Sequence, residues 1–400
     1  MESFAEFPNL LGGIKVLDLS HVQSGPTCTA MLADMGAEVV KIEPFAGDQF
    51  RESMEGANFF NFNRNKRAMA LNLKTKEGKE IVLKLAKDAD VLVENFLPGV
   101  INRLGLGYEA LSQVNPGIVY CSISGFGQSG PFRERPAYDP ILQAMSGIMD
   151  STGEPDRPPV RIRPAMIDYC TGASAAFAIA AALFGRQKTG RGQRIDLALL
   201  DVAIYSMSPY VTQFKRRGEL PERAGSAQPS GGAIQNFETR DGYIYVVAGT
   251  DHMWKNLCKG LSIEEVGNGL RYATRQQRAD LRLEIAEIIN RETRKYTSQE
   301  LETKLLAAGV ACGKVSTIGE IVQEPHVQER GILEESDYPA WGKIVAVKTP
   351  IFLAGKPAPF RRRAPMLGEH TREIMKELGY SDQEIRDLIK DGVALQYEPK

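Results

Sequence analysis

Asp168 stands directly before "YCTGASAAFAIAAALFGR", a run of small and apolar residues along which another backbone or a ligand could come close. The plain reading of this acid is an N-cap. An Asp oxygen accepts from the free amides of a first helical turn, and its loss to Ala costs about 0.5–2 kcal/mol. The sharper reading is a carboxylate nucleophile, stripped of water and kept ionised by the positive end of the helix. Local sequence leaves both open. Two basic clusters are the next candidates. "FNRNKRAMALNLK" (62–74) gathers Arg64, Lys66, Arg67 and Lys74, and "NFLPGVINRLG" (95–105) adds Asn95 and Arg103. Taken singly they are solvated faces. Set at the strand ends of an α/β sheet, they could hold the phosphates of a nucleotide-like handle, Arg as a fork of donors and Lys as a point charge. A further basic run, "FRRRAP" (360–365), reads as surface.

Other chemistries find little support. Residues 20–26, "SHVQSGP", carry a single Gly where a dinucleotide-binding turn needs G-x-G-x-x-G, and no P-loop, H-E-x-x-H or G-x-S-x-G pattern occurs. Of four histidines only His21 follows a strand, and it reads as a hydrogen-bonded loop residue. The five cysteines (Cys28, Cys121, Cys170, Cys258, Cys312) are scattered and lack C-x-x-C spacing, which argues against a disulfide frame and against a zinc site. Reduced, mostly buried thiols and no metal are expected. Lys plus Arg (49) balances Asp plus Glu (50), so no sequence-wide basic field exists for nucleic acid or an anionic membrane. The opening "MESFAEFPNL" lacks the basic and apolar regions of a signal peptide, and a cytoplasmic location is expected. The apolar run 173–184 is shorter than the roughly 20 residues of a membrane span and reads as a buried helix.

These residues need a frame. At 400 residues the chain exceeds one ordinary core, so two domains or a lobed single domain are expected. Residues 14–43 read as strand, loop, helix, strand, with Pro26 suited to a first helical turn, which makes a parallel βαβ unit. Strands at 67–74, 90–96 and 117–127, with a helix at 75–89, extend it into an open α/β layer. Residues 213–240 have linker composition. Beyond them a smaller α+β domain (241–331) offers a strand at 242–249 and an apolar stripe at Leu281, Ile285, Ile288 and Ile289. It also offers a capping box at Thr297 and Glu300, with Tyr296 stapled to Leu301. Residues 1–212 precede this lobe and 332–400 follow it. The chain end reads as two helices divided by Gly379 and restarted by Ser381 with Glu384.

The ordered set "VLDLSHVQSGPTCTAMLADMGAEVVKIE", "NRNKRAMALNLKTKEGK", "DVLVENFLPGVINRLGLGYEAL", "SGFGQSGPF", "AYDPILQAMSG", "KTGRGQRIDLALLD" and "APMLGEHTREIMKELGYSDQEI" resembles the family III CoA-transferases, the group that includes formyl-CoA:oxalate and carnitine CoA-transferases. The likeness runs over about 10–395. It implies a Rossmann-like large domain assembled from both chain ends, a small domain, and two ring-shaped subunits linked through one another as a homodimer, or as a heteromer with a homologue. It implies CoA transfer from an acyl-CoA donor to a carboxylic acid through aspartyl anhydride and aspartyl-CoA thioester intermediates, with Asp168 as nucleophile. CoA and acyl-CoA enter as substrates, and no tightly bound cofactor is implied. Carried onto this sequence, the family's CoA contacts fall on Val22, Gln23, Ser24, Leu71, Asn72, Leu73, Lys74, Asn95, Phe96 and Arg103, with Tyr138 close by. Gly231 and Gly232 of "SGGA" are the counterpart of a Gly-rich lid. Pro44 stands where some relatives carry a basic residue.

Two alternatives accompany this reading: an acyl-CoA racemase or epimerase, and a non-catalytic CoA-binding subunit. Related racemases use a His where Tyr138 stands, and a phenol, ordinarily titrating near about 10, is a poor partner for reversible proton abstraction at neutral pH. Retention of Asp168 speaks against the non-catalytic subunit. An acyl pocket is expected from loops near 45–60, 138–150 and 225–240, including Phe45, Phe50, Met54 and Phe59.

Overall fold

The computed structural model describes residues 7–339 and 341–398; the first six residues, read above for a targeting signal, lie outside them. They divide into two compact units, one of residues 7–146, 162–212, 325–339 and 341–398, the other of 147–161 and 213–324.

In the first unit the βαβ reading holds. Lys15–Asp18 (β1) leads into Ser24–Asp34 (α1) and returns as Glu38–Glu43 (β2), with β1 and β2 parallel. Ala57–Asn63 (α2) precedes Arg67–Leu71 (β3), and Lys76–Lys87 (α3) precedes Val91–Glu94 (β4). Helix α3 starts where the Thr75 hydroxyl accepts from the Gly78 amide, and it buries Ala86 with Ile81 and Val82, the last two worth about 1.5–3 kcal/mol each. Val100–Arg103 (α4) and Tyr108–Val114 (α5) lead to Val119–Ser124 (β5). Asp139–Met145 (α6) and the long Met166–Thr189 (α7) lie between β5 and Arg194–Ala198 (β6), which Leu199–Ser206 (α8) follows.

The sheet runs 3-2-1-4-5-6 with every one of these neighbours parallel, and the short strand Ala394–Leu395 adds antiparallel to β3. This is the Rossmann order. Chain direction across the sheet reverses between β1 and β4, and the crevice beyond the carboxyl ends of those two strands is where ligands bind in such sheets. The core beneath it is mainly aliphatic, with Leu17, Ile42, Met69 and Leu92 buried beside the aromatic Tyr120. The tail forms its two helices, Thr371–Glu377 and Asp382–Lys390, with Gly379 left-handed between them and a full Ser381–Glu384 capping box.

The second unit is an antiparallel sheet of Ala233–Glu238, Tyr243–Ala248 and Ala311–Lys314. Helices Asp251–Leu261, Arg282–Thr293 and Ser298–Ala307 pack on Trp254, Leu257, Ile285, Ile289, Leu301 and Leu305. The Thr297–Glu300 capping box forms as expected.

Two expectations need correction. The stretch 213–240 is not all loop: it carries the end of helix Ser208–Arg217 and the strand Ala233–Glu238. Helix α7 is not buried all round. Its Gly172, Ala175, Ala176 and Ile179 side is covered, while Phe177 and Phe184 on other sides are 77% and 62% exposed. It extends well past 173–184, and by length and composition alone it is the one helix among the described residues apolar enough to cross a membrane.

Candidate active site

The site begins with four buried charges. Asp18, the last residue of β1, accepts from the Ser20 amide and the Thr29 hydroxyl and pairs with Lys66 Nζ at 2.9 Å. Lys41 of β2 pairs with Asp48 at 3.0 Å and donates to the Ser20 carbonyl at 2.7 Å. Burial alone would push the Asp18 carboxyl up, but the Lys66 and Lys41 ammoniums hold it well below the usual carboxylate range. Burial pulls Lys66 down to about 8, against the pull of Asp18. Breaking such a pair strands the other charge out of water, so each member fixes the loop it touches.

That loop is residues 19–23. Val22 sits at φ 67°, a region that costs a β-branched residue of order 1–3 kcal/mol. The strain is held by named bonds. The Val22 amide donates to Asp48 Oδ1, the His21 amide donates to Asn95 Oδ1, and Asn95 Nδ2 donates back to the His21 carbonyl. Asn95 thus stitches the end of β4 to the end of β1. The His21 ring lies against Phe96 at 5.3 Å, and burial together with Lys41 keeps it below the usual imidazole range, hence neutral.

Helix α1 starts at this loop and packs along α7. The approach is close because residue 172 is Gly: a Cβ there would meet the Ser24 carbonyl oxygen and the Thr27 Cβ at 2.7 Å each. The contact brings Ser24 to Asp168, where the Ser24 hydroxyl favours the charged form of that carboxylate.

Asp168 does not cap its helix. It is the third residue of α7, and the N-cap position, Ala165, offers no side-chain bond. The cap comes from outside. Buried Asp139, at the start of α6, accepts through Oδ2 from the amides of Ile167 (2.8 Å) and Asp168 (3.2 Å), and through Oδ1 from Gln143 Nε2 (2.6 Å). Gln143 is itself held by two bonds to the Ile162 backbone. The amides that would have favoured an Asp168 carboxylate are therefore spent on a second carboxylate. Burial and the Asp139 charge push Asp168 up to about 7, against the pull of the Ser24 hydroxyl.

Two cavities open here. One of about 350 Å³ holds Asp168 with Val22, Gln23, Ser24, Asn95 and Tyr138 on its walls. The other, about 550 Å³, runs over the ends of β2 and β3 and is walled by Leu71, Asn72, Leu73 and Lys74. His21, Gln49 and Phe96 line both, so the two meet at the end of β1. Together they hold every residue named from the sequence as a CoA contact except Arg103, which is exposed on α4 and lines neither cavity. Gly231 and Gly232 belong to the second unit; Gly231 is buried and a Cβ on Gly232 would meet Arg278 at 2.7 Å. Of the aromatic and Met side chains expected near an acyl group, only Phe45 lines either of these two cavities. Phe59 is core, Phe50 packs on Phe62 and Met54 is 73% exposed.

Three cations of the "NRNKR" cluster are spent elsewhere. Arg64 is tied to Asp34, Lys66 to Asp18, and Arg67 to Glu373 and Glu377, so none is left for a phosphate. Lys74 remains, on the wall of the larger cavity. Sequence reasoning missed Asp18, Lys41, Asp48 and Asp139. Their only sequence signal was a charged residue in an otherwise apolar strand for Asp18 and Lys41; Asp139 gave none beyond its "DP" helix start. Among the described residues, no group of three or more His, Cys, Asp or Glu is placed to hold a metal ion.

A half-buried acid of raised basicity, in a small chamber that opens into a longer groove, suits covalent chemistry on a substrate with an extended handle. The chain is similar to known CoA-transferases. The chain is 38% identical over 381 residues to the succinate–glutarate CoA-transferase of Agrobacterium fabrum, covering 92% of this chain and 95% of that one. It is 37% identical over 400 residues to the human succinyl-CoA:glutarate CoA-transferase, covering 97% and 90%. The crystal structure of a CaiB/BaiF family protein from Brucella suis superposes with a TM-score of 0.83 at 35% identity, covering 92% of this chain and 99% of that one. The sequence pattern of CoA-transferase family III matches residues 11–371, and the chain belongs to that family of enzymes.

Proposed function

We propose that this enzyme moves CoA between short dicarboxylic acids, with Asp168 as the covalent carrier. The observation that carries the reading is Asp168 itself: a half-buried carboxyl raised to about 7, on a small cavity that meets a larger groove at His21, Gln49 and Phe96. The acid class rests on the relatives named for succinate and glutarate.

The CoA handle lies in the larger groove, with Lys74 as its nearest unspent cation, and the thioester enters the smaller cavity past His21 and Phe96. An Asp168 oxygen attacks the thioester carbonyl carbon; the C–S bond breaks, giving a mixed anhydride and CoA thiolate. The thiolate attacks the Asp168 side-chain carbonyl, releasing the donor acid as carboxylate and leaving an aspartyl-CoA thioester. The acceptor carboxylate attacks that thioester, and the returning thiolate then takes the acceptor's acyl group, regenerating Asp168. Raised basicity makes the Asp168 carboxylate a stronger nucleophile once ionised. Binding of the handle far from the reacting carbon supplies the positioning that keeps anhydride and thiolate together, and water apart.

The exposed apolar face of α7 and α8, with Phe177, Phe184 and the 82%-exposed Tyr205, is the kind of surface that a second copy covers, and a homodimer belongs to this reading. The test is transfer from succinyl-CoA to glutarate by the wild type and by Asp168→Asn. Loss of transfer in the variant supports the reading; equal turnover without deamidation sinks it.

A further inference from the structure

Arg135 lines the cavity that holds Asp168, on the loop joining β5 to α6. It is the only cation on that wall, because His21 is held neutral. Among the described residues its guanidinium has no carboxylate partner: the neighbouring Glu134 pairs with Arg133, and Asp139 is engaged by Gln143 and the α7 amides. Nor is it bonded to the nucleophile, whose carboxyl is set by burial, Asp139 and Ser24. The guanidinium is nonetheless aimed, lying 3.7 Å from the centroid of the Phe132 ring, which is braced edge-on by Phe126. The loop is tied at its start, where the Gly127 amide donates to Ser124 Oγ and the Gln128 amide to Asp196.

A planar, oriented, unpaired fork of donors sharing a chamber with a carboxyl nucleophile, yet standing apart from it, matches an acid with charge at both ends. One carboxylate reacts at Asp168 and the other needs a counter-charge across the chamber. We propose that Arg135 is the specificity-determining residue of the acid site, binding the distal carboxylate of a dicarboxylic substrate through paired N–H···O bonds. Resting on the transfer reading above, this names the residue that tells a diacid from a monoacid.

The test compares Arg135→Gln and Arg135→Lys with the wild type, using glutarate and pentanoate as acceptors with succinyl-CoA and acetyl-CoA as donors. Free CoA affinity is measured separately by calorimetry. The expected result is a fall of about tenfold to a hundredfold in kcat/KM for glutarate in the Gln variant. Pentanoate and free CoA affinity should hardly change, and Lys should restore part of the loss. Equal falls for diacid and monoacid, or weakened CoA affinity in place of the acid effect, overturn the inference and make Arg135 a handle contact. The wild type is scored for acylation of Asp168 in the same preparations. Transfer that ignores Arg135 therefore refutes this inference alone, whereas no adduct and no transfer refutes the underlying reading as well.

Discussion

Replacing Asp139 by Asn should shift the acid limb of the pH profile downward while leaving the fold in place. Asp168 titrates at about 7 because it is half-buried and because the Asp139 carboxylate stands beside it. A carboxyl raised this way is protonated below about 7 and ionised above, so attack on the thioester is lost as pH falls through that value. At pH 6 about a tenth of the wild-type enzyme carries the carboxylate, and at pH 8 about nine-tenths does, so the ratio of kcat/KM at pH 6 to pH 8 is about 0.1. The amide side chain of Asp139→Asn keeps an oxygen for the Ile167 and Asp168 amides but removes the charge. Burial still opposes ionisation, so the limb moves toward, without reaching, the ordinary carboxylate range. The ratio should therefore rise, by at most about tenfold, as the ionised fraction at pH 6 climbs toward one. Gln143 loses an acceptor in the exchange, costing about 1 kcal/mol of stability. Stopped-flow release of CoA thiol from one donor between pH 5.5 and 8.5 measures the limb, and the same donor in both enzymes cancels substrate titration. A limb that stays put, or moves upward, would refute the electrostatic reasoning.

Gly172→Ala inserts a methyl 2.7 Å from Ser24 O and Thr27 Cβ, so α1 and α7 must part; about 1–3 kcal/mol of stability and most of the transfer rate should go, read by thermal unfolding and by turnover. Gly185→Ala, where a Cβ meets nothing within 4 Å, is the control that should keep the transfer rate and, by removing a helix glycine, gain up to about 1 kcal/mol of stability. Lys66→Met leaves Asp18 buried without its ammonium and should cost about 3–5 kcal/mol in denaturant unfolding, whereas Asp18→Asn with Lys66→Met should recover part of it. A single variant as stable as the parent would show the network to be dispensable.

What the sequence disclosed was local. The Gly-Pro break after β1, the alternation of apolar runs and the Ser381 and Thr297 capping boxes are written within a few residues of where they act, and each formed as read. What it concealed was the pairing of charges across long separations. Lys66 finds Asp18 48 residues away and Arg64 finds Asp34 30 away, so a basic cluster that looked free to bind phosphate is spent on the core. Asp168 gave the same kind of ambiguity. Its helix-start position suggested a cap, but the cap is Asp139, 28 residues upstream of the nearer amide it accepts from, and only that displacement leaves Asp168 free for chemistry. The exposed side of α7 was equally hidden, since composition reports that a helix is apolar and not which neighbours cover it.

The central claim is that Asp168 becomes covalently acylated. The enzyme, mixed with succinyl-CoA and quenched with hydroxylamine or borohydride within the first turnovers, is digested and its 164–186 peptide mapped by mass spectrometry. The account predicts a hydroxamate or reduced alcohol at Asp168, absent from Asp168→Asn. Transfer that proceeds with residue 168 unmodified, or a label on another side chain, would contradict it.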